Sequence, residues 1–296
     1  MPRTSSLGRA RRQWLLAVAA LILILPLAAA HAARAASSTV CTGNASAPGV
    51  LTGAYNGNVV VNGICFVNAG PAIVNGNLTI TDGSTVIAAF GRNNSSLSVT
   101  GNVRVNTRGT LLLGCLPTSF PCIDDPTDHP TLSSHGSVGG QLIEDQPLGV
   151  IVHDSTIGGA VTEAGGGGGV SCDPSGVFAL FGSPVYSDYE DSTIGGSLVI
   201  RNMRSCWLGV ARLTIAGNAT FTNNRFADPD AIEIIANHIG ENLSCSGNSM
   251  VWDSAELDGG LYPRLPEPNT VGGTRSGQCV LASPKDQGGP PGPGPF

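Results

Sequence analysis

A short phrase, Gly-Asn-apolar-x-apolar or a close variant, recurs seven times along the chain. Written from the glycine, the copies are Gly57-Asn58-Val59, Gly76-Asn77-Leu78, Gly101-Asn102-Val103, Gly140-Gln141-Leu142, Gly159-Ala160-Val161, Gly196-Ser197-Leu198 and Gly217-Asn218-Ala219. An eighth, Glu241-Asn242-Leu243, fits one column over, with Gly240 ahead of it. A turn residue plus a short strand, repeated, marks a stacked solenoid in which each copy is one coil. A single such strand cannot bury its own apolar side, so each coil depends on its neighbour.

The apolar residue after the turn serves as a ruler. Its marks are Val59, Leu78, Val103, Leu142, Val161, Leu198, Ala219 and Leu243, with steps of 19, 25, 39, 19, 37, 21 and 24 residues. Five steps are close to one β-helix coil of about 22 residues, and the two long ones each add an insertion of about 16. Between marks, Leu97-Ser98-Val99, Leu213-Thr214-Ile215 and Ile232-Glu233-Ile234 alternate with period two, as strands do. The asparagine after the glycine is expected to take the left-handed backbone of a sharp corner. Copies stacked at about 4.8 Å are also expected to share amide hydrogen bonds up a ladder. The predicted fold is all-β: a right-handed parallel β-helix of about eight rungs, stapled by disulfides.

Residues 1–36 read as a signal segment. Arg3, Arg9, Arg11 and Arg12 precede an apolar run from Trp14 to Ala30, with small residues around Ala33-Arg34-Ala35 for cleavage. The alternative is a retained membrane anchor. No second long apolar run follows, so no membrane span is expected after cleavage, and the mature chain is expected to be secreted. Loss of five arginines and no acid moves the formal charge from −6 to −11, which argues against nucleic acid as a partner.

All eight cysteines lie in the mature part, an even count that reads as disulfides in an exported chain. Coils touch only their neighbours, so sequential pairing is expected: Cys41–Cys65, Cys115–Cys122, Cys172–Cys206 and Cys245–Cys279. Neither a CxxC pair nor a zinc-like histidine spacing occurs, and no metal or cofactor is assigned. The coil domain is placed at 37–283, with insertions near 115–135 and 165–191 and a C-terminal return segment. The first insertion is rich in Pro and Asp. The second opens on Gly165–Gly169, expected to be flexible or dense in turns. Residues 284–296 read as a Pro/Gly tail.

Several phrases carry a resemblance. Ile157-Gly-Gly, Ile194-Gly-Gly-Ser-Leu, Ser205-Cys206-Trp207-Leu208-Gly209, Gly240-Glu-Asn-Leu-Ser-Cys245 and Asn269-Thr-Val-Gly-Gly273 are similar to a group of exported actinobacterial proteins, and the coil resembles right-handed β-helices of the pectin-lyase-like superfold. The resemblance covers most of residues 40–280. It implies a fold and a location and carries no catalytic residue over.

Two sets of residues are candidates for a site. Tyr186, Asp188, Tyr189, Glu190 and Asp191, with Trp207, offer aromatic faces and acids that suit a glycan or calcium, against a competing role of the aromatics as core caps. Glu144 and Glu163 each lie two residues beyond a ruler mark in consecutive coils, which would stack them about 5 Å apart. Such a pair binds a cation or shares a proton; the weightier expectation is that both face water. Asp124-Asp125 and Ser134-His135-Gly136 echo polygalacturonases only in part, and Asp125, Asp128, His129 and His135 suit a loop better than a metal clip. His153-Asp154 is expected to be a hydrogen-bonded corner. No catalytic residue is assigned. The expected role is a non-enzymatic structural or binding module of the cell surface or extracellular space, with a glycan or envelope component as partner. The alternative is a lyase or hydrolase of an acidic glycan.

Overall fold

The protein is seen here in a computed structural model that describes residues 38–88, 95–114, 135–228, 231–249, 251–253, 258–259, 262–263 and 268–280. The signal segment, the Cys115–Cys122 bridge, the Asp124-Asp125 pair, the Asp125/Asp128/His129 group and the tail lie outside the described residues.

The chain is a parallel β-helix with three faces. The first face stacks Thr39–Gly43, the start of Val59–Phe66, Leu78–Ile80, Val103–Val105, Leu142–Asp145, Val161–Ala164, Leu198–Arg201, Ala219–Thr222, Leu243–Ser246 and Arg275–Gly277. The second face includes Thr85–Ala88, Thr110–Leu113, Gly149–His153, Tyr186–Glu190, Trp207–Ala211 and Glu233–Ile235. The third includes Pro71–Val74, Ser96–Val99, His135–Val138, Ser155–Ile157, Thr193–Ile194, Thr214–Ile215, His238–Ile239 and Thr270–Val271. Parallel strands joined by such crossovers wind right-handed, because the twist of the strand returns the chain to the sheet only that way.

The ruler marks meet one another. Val59, Leu78, Val103, Leu142, Val161, Leu198, Ala219 and Leu243 are successive Cα partners on the first face, and Thr39 and Arg275 extend the column by one strand at each end. Period-two alternation places the marks and every second residue inside. One interior column runs Val61, Ile80, Val105, Glu144, Glu163, Ile200, Phe221 and Cys245, so two acids sit in an apolar stack. The strands Gly149–His153, Tyr186–Glu190 and Trp207–Ala211 of the second face are buried on both sides.

The Gly-Asn phrase works differently from expectation. Asn58, Asn77 and Asn102 are not left-handed; positive φ falls later, at Gln146, Gly165, Asn202, Asn223 and Gly247 after the first face and at Asp154, Asp191, Arg212 and Ala236 after the second. The asparagines form the ladder instead. Asn58 Oδ1 accepts from Asn77 N at 2.9 Å, Asn77 Oδ1 from Asn102 N at 2.8 Å, and Asn102 Oδ1 from Gln141 N at 2.8 Å. The glycine ahead lets stacked corners approach: a Cβ on Gly76 would lie 2.6 Å from the carbonyl carbon of Gly57.

Cys41–Cys65, Cys172–Cys206 and Cys245–Cys279 are bonded. The second insertion is shorter than its expected span of 165–191, because Tyr186–Glu190 is a regular strand of the second face, paired with Gly149–His153 on one side and Trp207–Ala211 on the other. Its five glycines are built into the fold and not free. Gly165 to Gly169 have φ of 73, 84, 89, 76 and 108°, a left-handed run open only to glycine at low cost, and Gly167 N and Gly169 N donate to Pro147 O and Arg204 O.

Candidate functional site

The strand Tyr186–Glu190 separates two polar clusters. Its odd residues, Ser187 and Tyr189, point into the coil, and its even residues point outward. Across the interior from Ser187 and Tyr189 stand Glu144 and Glu163, Cα partners on consecutive coils. Both acids are buried, at 1% and 0% exposure, which corrects the expectation that they face water. The charge of a carboxyl does not override strand parity: Leu142 and Glu144 share the inward side.

Tyr189 Oη lies 2.6 Å from Glu144 Oε2 and 2.8 Å from Glu163 Oε2, and Ser187 Oγ donates to Glu163 Oε1 at 2.7 Å. A phenol has one proton, so it donates to only one carboxylate; the other contact needs a proton on the carboxyl. Glu163 already receives Ser187, and Glu144 Oε1 has no hydrogen-bond partner. The consistent arrangement is therefore a protonated Glu144 donating to Tyr189, which donates to Glu163. Burial, then the neighbouring Glu163 charge, pushes Glu144 well above the usual carboxylate range. Burial pushes Glu163 up to about 7 against the opposing bonds from Ser187 and Tyr189. Burial and the two carboxyls likewise raise Tyr189.

The outer cluster draws on three coils. His153 Nε2 and Asp188 Oδ2 lie 3.0 Å apart, both groups being 1% exposed. Glu190 is the Cα partner of His153 and meets Arg212 Nη2 through Oε2 at 2.7 Å. Arg212 also grips both oxygens of Asp191, at 2.7 and 2.8 Å. His153 is thus more than a strand-end corner: it faces an acid on the next coil. Gly209, the coil partner of Asp188, makes room for this group, since a Cβ there would meet Asp188 Oδ1 at 2.5 Å and the Trp207 ring at 2.0 Å.

The six residues grouped as one patch in the sequence are therefore divided. Tyr189 is interior. Tyr186 and Trp207 join Phe178 of the 176–181 turn in a cluster of tilted and edge-on rings with centroids 5.6 and 5.8 Å apart, held near the wall by Cys172–Cys206. Asp188 and Glu190 are buried outside the strand, and Asp191 is half-buried at the corner. Sequence reasoning left His153 and Arg212 out of the group. Their signal lies in coil register, since Val150-Ile-Val-His153 aligns with Ser187-Asp-Tyr-Glu190.

The third face is different in kind. Its outward column, Ser98, Ser137, Thr156, Thr193, Thr214, His238 and Thr270, is in continuous register. From Ser137 on, every member is exposed, and Gly139, Gly158, Gly195, Ala216, Gly240 and Gly272 form the exposed column beside it. No protein-family model, curated protein or solved structure matches the chain.

Proposed function

We propose that the protein is an exported, non-enzymatic binding module that lays its third face against a neutral, repetitive glycan of the cell envelope or extracellular space. The observation that carries this reading is the exposed Ser/Thr column. Hydroxyls repeat along it at the strand spacing of about 4.8 Å, and the glycine column beside them leaves the face low enough for an extended polymer to lie flat. A hydroxyl both donates and accepts, as sugar hydroxyls do, and the column itself carries no carboxylate. Export is supported by the three disulfides, which persist in oxidising compartments, and by the basic-then-apolar segment 1–36. Kinship with exported actinobacterial β-helices of the pectin-lyase-like superfold belongs to the same reading and rests on the shared phrases.

The test is co-sedimentation of residues 37–296 with cellulose, chitin and purified cell wall. The wild type is expected to pellet with at least one of them, and the double variant Thr193→Tyr, Thr214→Tyr to stay in solution with an unchanged melting temperature. A wild type that stays in solution with all three polymers ends the proposal.

A second reading, a lyase or hydrolase of an acidic glycan, is favoured by the meeting of His153, Asp188, Glu190 and Arg212 on adjacent coils. Their burial weighs against it, because a polymer has to reach the group that cuts it. Unsaturated or reducing ends released from polygalacturonate, and lost in Asp188→Asn, would establish it.

A further inference from the structure

The outer cluster of the second face has a chemistry that glycan binding does not use. One ligand atom each from His153, Asp188 and Glu190 lies within 4.8 Å of the others, and the three residues are 1%, 1% and 3% exposed. Asp188 meets His153 through Oδ2, but its Oδ1 is sealed from solvent and has no hydrogen-bond partner. A carboxylate oxygen that has lost water and gained no donor is costly, and a cation bound beside it relieves that cost.

The charges give the same answer. Arg212 is matched by Asp191, which takes its Nε and Nη2 through both oxygens. Arg212 Nη2 also meets Glu190 at 2.7 Å, so one guanidinium serves both Glu190 and Asp191, and Asp188 adds a further carboxylate beside an imidazole that is neutral when it serves as a ligand. A divalent cation adds positive charge where the three ligand atoms converge. The donor set of one imidazole nitrogen and two carboxylates selects a first-row transition ion over calcium or magnesium, which take oxygen ligands. The Trp207 ring, lying where a Gly209 side chain would be, keeps water from the acid.

We propose that His153, Asp188 and Glu190 bind a single divalent transition ion such as Zn²⁺ or Mn²⁺, clamping the coil of Gly149–His153 to the coil of Tyr186–Glu190. The site is independent of the third face, so it stands or falls apart from the glycan reading.

The test uses residues 37–296, disulfide-bonded, stripped with chelator and then refolded with Zn²⁺ or Mn²⁺. Bound metal is measured by elemental analysis, and affinity by calorimetry. One ion per chain is expected. Asp188→Asn and His153→Gln are expected to weaken binding by more than about 100-fold, beyond the loss of an outer-shell partner. Both variants are checked for fold by circular dichroism. If either fails to fold, Co²⁺ loaded into the wild type gives a second readout, a visible spectrum with a nitrogen–oxygen donor set. A wild type that retains no metal after refolding, or folded variants that bind as it does, would overturn the proposal and leave His153–Asp188 a plain hydrogen-bonded pair.

Discussion

Tyr189 holds one hydroxyl proton between two carboxyl groups, and that shortage sets how the protein responds to pH. Glu163 moves from 4.5 to about 7 on folding, so between those values the folded chain keeps a proton that the unfolded chain has released. Stability from this group is fully present below about pH 4.5 and is lost as pH rises through about 7. The loss is about 3 kcal/mol for a shift of this size. Urea unfolding from pH 4 to 8 is expected to show this fall in the wild type, and Glu163→Gln to remove that part of the slope. Equal slopes in the two proteins would rule out a buried proton at this site. Tyr189→Phe removes the hydroxyl that accepts from Glu144 and donates to Glu163, with an expected cost of about 1–3 kcal/mol. Because the Tyr189 bond lowers Glu163, the upper end of the slope is expected to move to higher pH in that variant. The sequence placed Glu144 and Glu163 in the same position of consecutive coils, with both expected to face water, whereas the strand continues through them and its parity turns them inward. What the sequence lacked was Tyr189, brought from another strand, which makes burial of two acids tolerable.

At the scale of elements, the ruler of apolar residues translated directly into register, because parallel coils align like with like. The insertions did not. A 37-residue step between Val161 and Leu198 shows that extra chain is present but not where it leaves the coil, and the glycine run drew the boundary too far, past the strand Tyr186–Glu190. That run yields a prediction that separates strain from collision. Gly167 has φ of 89°, and an added Cβ would lie 2.5 Å from Arg204 O; Gly169 has φ of 108°, with nothing within 4 Å. Gly169→Ala is expected to cost only backbone strain, about 1–2 kcal/mol, while Gly167→Ala adds displacement of the Arg204 backbone and costs more. Thermal melts of the two variants decide it, and equal losses would mean that the loop relaxes freely around Gly167. The αL corners were misplaced in the sequence for a related reason. Asn at Asn77 looked like a corner residue, whereas its amide serves better as a bridge between stacked strands, and the turn falls to Gln146, Asn202 and Asn223 beyond the strand.

At the scale of the whole molecule, a coil that touches only its neighbours has no single core that fails at once. Three successive cysteine pairs were legible because of this, since residues far apart in a solenoid's sequence do not meet. The same geometry makes the ends the weak points: among the described residues, the last strand of the first face, Arg275–Gly277, has a partner on one side only, Leu243–Ser246. Cys245–Cys279 closes 34 residues at that end, and buried Asn224 and Asn248 with exposed Gln278 continue the tie by amide bonds. In the chain-entropy picture a closure of that length contributes about 4 kcal/mol, and here it falls on the terminal coils alone. The double variant Cys245→Ser, Cys279→Ser is therefore expected to fray rather than unfold. Hydrogen exchange is expected to accelerate in Leu243–Ser246 and Arg275–Gly277, while Leu142–Asp145 and Val161–Ala164, paired on both sides, keep their protection. A uniform loss across all of these strands would instead mean that the coils unfold as one unit and that the staple acts on the entire helix.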